Sequence, residues 1–144
     1  MLSQVFTVLA LGAATLVAGA PMEARTADEQ VTVSNTQFAR KDSNGNDNWD
    51  TILGVSFDLA TPSGSVRCAA SDVEVPSIKY VCSDLAYSFE ISGRPGYDQY
   101  TFTIYHNSDV TLSGETKVGC NGPIPSSCFQ VRTSPATLTP ITAA

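Results

Sequence analysis

The chain has 144 residues, and its 14 Asp and Glu outnumber its 8 Lys and Arg to give a net charge of −6. Such a chain repels a phosphate backbone, which argues against nucleic acid as a partner. It also shows no basic amphipathic stretch of the kind that binds membranes.

The first twenty residues carry no charged side chain and hold an apolar run from Val5 to Val17, closed by Ala18-Gly19-Ala20. An apolar run with small residues at its end reads as a cleaved secretory signal over 1–20, too short with these flanks for a membrane span. Residues 21–30 read as a short N-terminal or pro-segment. Residues 31–144 then make one domain, long enough to bury a core.

"KDSNGNDNWD", residues 41–50, is next. Asp42, Asn44, Asn46 and Asp50 supply oxygens at the spacing of a calcium loop, but such a loop needs glycine at its sixth position and a bidentate glutamate at its twelfth. Those positions hold Asp47 and Leu53, and the flanking residues alternate instead of recurring at helical spacing. The stretch is read as a solvated acidic hairpin loop and not as a metal site. Trp49 inside it is either a plug folded back onto the end of the fold or an anchor for a partner. With the adjacent basic pair Arg40-Lys41 at its base, the loop is a candidate recognition surface made of Arg40, Lys41, Asp42, Asn46 and Trp49.

From residue 53 the pattern is strands and turns. Leu53, Val55, Phe57 and Leu59 alternate with polar or small residues, Thr61-Pro62-Ser63-Gly64 makes a turn, and Val66, Cys68 and Ala70 return. Ile78, Tyr80 and Cys82 alternate in the following strand. Tyr87, Phe89 and Ile91 precede a turn predicted at Gly93-Arg94-Pro95-Gly96, after which Tyr100, Phe102 and Ile104 face inward. Two further strands are predicted to flank Ser113-Gly114-Glu115, a loop spans 121–127, and Phe129-Gln130-Val131 forms the last full strand. Residues 133–144 are expected to be a strand edge and a loose tail. Helical periodicity is missing throughout, and the chain has no internal repeats and no Asn-x-Ser/Thr sequon.

Four cysteines stand at 68, 82, 120 and 128. In an oxidising compartment they imply two disulfides with three possible connectivities. Short loops and the common facing of Cys68 and Cys82 with their apolar neighbours favour Cys68–Cys82 and Cys120–Cys128. The chain-entropy relation gives each about 2.5–3 kcal/mol. Zinc is disfavoured, since no CxxC occurs. Many short antiparallel strands with turns between them imply an all-β single domain, a sandwich or a closed barrel.

Chemistry is sparse. His106 is the lone histidine, continues the inward alternation of its strand, and is read as structural. No GxSxG is present. Asp58 and Glu90 fall on outward positions where solvation explains them, although scattered carboxylates leave open a pair suited to glycoside hydrolysis.

"FARK" at 38–41, "ILGVSFDL" at 52–59, "VRCAAS" at 66–71, "KYVCS" at 79–83, "YSFEI" at 87–91, "GCNGP" at 119–123 and Cys128 follow in an order that resembles the fungal secreted family of the Alternaria major allergen. In size the chain is similar to the hypersensitive-response-inducing elicitors of that family. The resemblance implies an antiparallel β-barrel with two intrachain disulfides, joined as favoured above. It also implies secretion and activity as an allergen or elicitor of plant defence, with no catalytic residues and no cofactor. The allergen's N-terminal cysteine, which links a dimer, has no counterpart between Pro21 and Arg67, so a covalent dimer by that route is ruled out. The expected protein is a monomer or a non-covalent dimer that binds a plant cell-surface or apoplastic protein. Two rivals are an enzyme acting on cell-wall polymers and a small-ligand carrier using the barrel interior.

Overall fold

Period-two alternation places every second residue on one face, and these faces turn toward a common interior. Val55, Phe57 and Leu59, Phe89 and Ile91, and Tyr100, Phe102 and Ile104 are all buried there. In the computed structural model, residues 27–43 and 46–141 are described, without the side chains of 42, 43 and 46–48. The expected signal over 1–20, the first part of the pro-segment and the last three residues of the tail lie outside the described residues.

The strands in chain order are β1 Glu29–Ser43, β2 Asn46–Thr61, β3 Gly64–Glu74, β4 Tyr80–Val81, β5 Tyr87–Gly96, β6 Gln99–Asn107, β7 Thr111–Ile124, β8 Ser127–Gln130 and β9 Ser134–Pro140. They pair antiparallel in the order β3-β2-β1-β8-β7-β6-β5-β4. The two end strands of that order meet. Cys68 on β3 is bonded to Cys82, with 4.2 Å between their Cα atoms, and the Ser83 amide donates to the Arg67 carbonyl at 2.7 Å. The sheet thereby closes into a barrel whose seam is a disulfide and a main-chain bond in place of a ladder, which protects an otherwise open edge.

β1 and β7 diverge, and two short strands placed end to end fill the space between them. β8 pairs with residues 37–39 of β1 and with the far half of β7, while β9 pairs with residues 29–33 and with Leu112 and Ser113. Gln130 joins the two. Its Oε1 accepts from the Thr36 amide and hydroxyl at 3.1 and 2.6 Å, and its Nε2 donates to the Val33 carbonyl at 2.9 Å, across the bulge of β1.

The interior is filled by rings. Phe57 meets Phe89 and Phe102 edge-on at 4.8 and 5.2 Å, and Phe38 stacks on Tyr100 at 4.7 Å. Both disulfides are intrachain and use all four cysteines, Cys68–Cys82 and Cys120–Cys128.

Several local expectations are corrected. The stretch 41–50 is no open loop: pairing continues through Lys41↔Asn48 to Ser43↔Asn46. Leu53 is half exposed and Ile52 is buried in its place, because register shifts on either side of Arg40 offset the pleat of β2. Ile78 points outward, and β4 is only two residues long. Pro76 has no amide to give a ladder, and Ser77 instead exchanges bonds with Ile91 through its amide and hydroxyl. The turn expected at 93–96 is strand, since irregular pairing steps absorb it, and the hairpin tip is Tyr97-Asp98. Residues 113–115 are not a turn either. A Cβ on Gly114 would collide with the Thr137 carbonyl, so that glycine lets β9 approach β7. The expected C-terminal edge is accordingly a strand bonded on both sides, with Ala136 and Leu138 buried. The start of the domain also shifts, because Glu29 and Gln30 of the expected pro-segment belong to β1.

Candidate functional site

The bulge that offsets β2 also turns Arg40 inward, and a buried guanidinium must find acceptors for its five donors. Arg40 is 3% exposed. Its Nε donates to the Pro125 carbonyl at 2.9 Å, one Nη donates to the same oxygen, and the other reaches the Tyr97 carbonyl at 3.3 Å. Asp98 completes the set through Oδ1 at 3.0 Å, an ion pair without the alignment of a hydrogen bond. The guanidinium carbon lies 4.2 Å from the centroid of the Trp49 ring, within cation–π range. Trp49 is 1% exposed, its carbonyl accepts from the Tyr100 hydroxyl at 2.7 Å, and its Nε1 has no acceptor among the described residues. Burial raises the Tyr100 phenol above its ordinary value, so that hydroxyl stays a donor.

One arginine thus ties three hairpin tips: β1–β2 through its own position, β5–β6 through Tyr97 and Asp98, and β7–β8 through Pro125. The recognition surface expected at Arg40 and Trp49 is corrected, because both side chains are buried in this plug and neither is presented to solvent. Of the same five residues, Lys41 is exposed, and the side chains of Asp42 and Asn46 lie outside the described residues. Asp50, the ninth position of the supposed calcium loop, is held 2.6 Å from Arg94 Nε. What the tips do present is Tyr97 and Ile124, each more than half exposed, with Val131 nearby.

The opposite end carries a second polar cluster. Glu29 accepts from the Tyr87 hydroxyl at 2.6 Å and lies 2.6 Å from His106 Nδ1, while Tyr87 and His106, paired across β5 and β6, stack at 4.1 Å. Burial first, and then the bond to Glu29, push the Tyr87 phenol up to about 12. It is a donor and no base at neutral pH. His106 is therefore held by a structural partner, Glu29.

The carboxylates weighed for hydrolysis are engaged locally. Asp58 pairs with Arg67 at 2.9 Å, and hydrogen bonds from Asn35 and then Arg67 hold it below the usual carboxylate range. Glu90 accepts from Tyr105 at 2.6 Å. Asp98 also lies beside the sulfurs of Cys120 and Cys128, but a disulfide has no thiolate to give a metal.

Sequence reasoning missed Tyr97 and Asp98 because Gly93 and Gly96 drew the turn toward them. It missed Glu29 because the residue was assigned to a pro-segment. The usable signal was Asp98 itself, a turn-forming acid two residues past Gly96.

No family model matches the chain, and no curated protein matches it in sequence. Among solved structures, the crystal structure of the Alternaria alternata major allergen Alt a 1 is similar, with a TM-score of 0.56 at 15% sequence identity. The match covers 80% of this chain and 96% of the allergen chain. At that identity the likeness is one of fold, an all-β chain of the allergen's type.

Proposed function

We propose that the protein is a secreted fungal effector or elicitor that triggers plant defence, including the hypersensitive response, by binding a host component at the Arg40 end of the barrel. The observation that carries this reading is the plug: Arg40 fixes three hairpin tips against one another and leaves Tyr97 and Ile124 standing out of them. Rigid loops bearing an exposed aromatic ring are suited to recognition, since few rotors are lost on binding. Two disulfides fit an oxidising, extracellular setting, and the allergen-like fold is compatible with it. Carriage of a ligand inside the barrel is less well supported, because Phe38, Phe57, Phe89 and Phe102 fill that space.

Infiltration of leaves with purified variants tests the reading. Tyr97→Ala with Ile124→Ala should retain the melting curve and lose most of the defence response, while His106→Asn should fold and keep it. A folded His106 variant without response, beside a fully active tip variant, would reverse the assignment in favour of an active site.

A further inference from the structure

The described cations differ in their partners. Arg40, Arg67 and Arg94 each face a carboxylate, and Lys79 lies 3.6 Å over the ring of Tyr105. Lys41 stands on the β1–β2 hairpin. The remaining two, Lys117 on β7 and Arg132 between β8 and β9, line the same groove. Neither makes an ion pair among the described residues, and both are exposed. In a chain of net charge −6, two such cations in one concavity are a local reversal of sign.

The groove has a volume of about 520 Å³, within the range of small-molecule sites. Asp98 is the one acid on its wall, and Arg40 neutralises it from behind at 3.0 Å, so the wall keeps a positive excess. Gln99 and Thr133 add an amide and a hydroxyl, groups that both donate and accept. Tyr97 forms the rim. Its ring meets Trp49 at 5.9 Å in a T-shape, and 53% of the residue stays in solvent as a platform for a flat or ring-shaped ligand. A second groove of about 270 Å³ shares Tyr97 and Asp98 with the first and continues past Asn121 and Pro123.

From these features we infer that the groove binds a carboxylated sugar chain, with Lys117 and Arg132 on the carboxylates, Gln99 and Thr133 on hydroxyls, and Tyr97 beneath a ring. Arginine meets a carboxylate bidentately and lysine meets it as a point charge, which suits two acid groups on successive units. An acidic peptide such as polyglutamate satisfies the cations and bonds Gln99 and Thr133 through its main chain, but it has no ring to lie on Tyr97. The groove shares Tyr97 with the tips proposed for host recognition, but sugar binding is measurable on the purified protein alone and is tested at Lys117 and Arg132, which that reading does not use.

The test is titration calorimetry and amide chemical-shift mapping with trigalacturonate, its neutral methyl ester and a short polyglutamate. Trigalacturonate should bind saturably, with shifts centred on residues 96–99, 117–119 and 131–134, and should weaken as salt is raised. The methyl ester should bind roughly tenfold more weakly or worse, as should the Lys117→Gln, Arg132→Gln double variant toward trigalacturonate. Unchanged shifts across the groove on adding trigalacturonate would overturn the inference. Equal binding of the methyl ester would remove the role of the cations, and equal binding of polyglutamate would remove the sugar, and either result overturns it as well. The double variant carries its own control, because both side chains are exposed and the melting temperature should stay in place.

Discussion

The two ends of the barrel do the same job with different chemistry. At one end Arg40 binds main-chain carbonyls and a carboxylate, and its charge is fixed at every pH a protein survives. At the other, Glu29 gathers a phenol and an imidazole, and the Tyr87 phenol of that tie is raised to about 12 by burial and then by Glu29. Each end also holds one disulfide: Cys120–Cys128 beside Asp98, and Cys68–Cys82 at the seam near Arg67 and Ser83. A barrel closed at its seam by one disulfide and few main-chain bonds gains from ties at its ends, and the choice of tie decides which end responds to conditions. A fixed cation gives a rigid end suited to presenting loops, and a phenol in the tie gives one that loosens in alkali.

Three variants would break or sharpen this contrast. The largest effect should come from Cys68→Ser with Cys82→Ser, which removes the covalent part of the seam and should cost about 2–5 kcal/mol in urea unfolding. A loss well below that range would mean that the Arg67–Ser83 bonds close the seam unaided. Next, Arg40→Met keeps the apolar stem but removes the charge-assisted bonds to Pro125 and Tyr97, with an expected cost of about 2–3 kcal/mol. Trp49 emission should shift to the red as the plug loosens, and the loss should be the same from pH 5 to pH 9, roughly the span over which an arginine keeps its charge.

The smallest effect separates the ends by pH. Tyr87 has a folded pKa raised to about 12 from an ordinary value of 10, so its contribution is complete below pH 10 and is lost as pH rises toward 12. Tyr105, raised to about 12 by burial and then by Glu90, acts in the same window. The melting temperature should therefore fall between pH 10 and pH 12. Tyr87→Phe should fall less steeply there, because one of the raised phenols no longer titrates, while Tyr100 at the Arg40 end, raised by burial, is unchanged by the substitution. A curve for Tyr87→Phe that overlays the parent would show that the Glu29 end is not what alkali loosens.

Much of the wall of the barrel was legible in the sequence. Val55, Phe57 and Leu59, then Phe89 and Ile91, then Tyr100, Phe102 and Ile104 alternate without interruption, and alternation is a local property that burial only amplifies. The turn at Thr61–Gly64 was legible for the same reason: Gly64 has a φ of 132°, and the Thr61 hydroxyl caps the turn by bonding the Gly64 carbonyl. The candidate site was legible only as a location. Arg40 and Trp49 were singled out from a polar stretch, but a charged or aromatic residue in such a stretch carries no local mark of whether it faces water. Bulges break the alternation around Arg40, and the partners that bury it lie far along the chain, at residues 97, 98 and 125.

The sequence by itself determined the all-β class and the facing of residues 55–59, 87–91 and 100–104, which follow from period, and of three possible disulfide connectivities it favoured Cys68–Cys82 with Cys120–Cys128 from their short loops, the pairing the structure has. Tertiary structure alone decided that Leu53 turns out and Ile52 in, that residues 134–140 form a strand bonded on both sides, and that Tyr97-Asp98 and not Gly93–Gly96 makes the hairpin tip. It also decided that Arg40 and Trp49 plug one end while Glu29 ties the other. These outcomes depend on register between strands and on acceptors supplied from distant hairpins, and a side chain's neighbours across a sheet are set by closure of the whole barrel, not by the residues beside it in the chain.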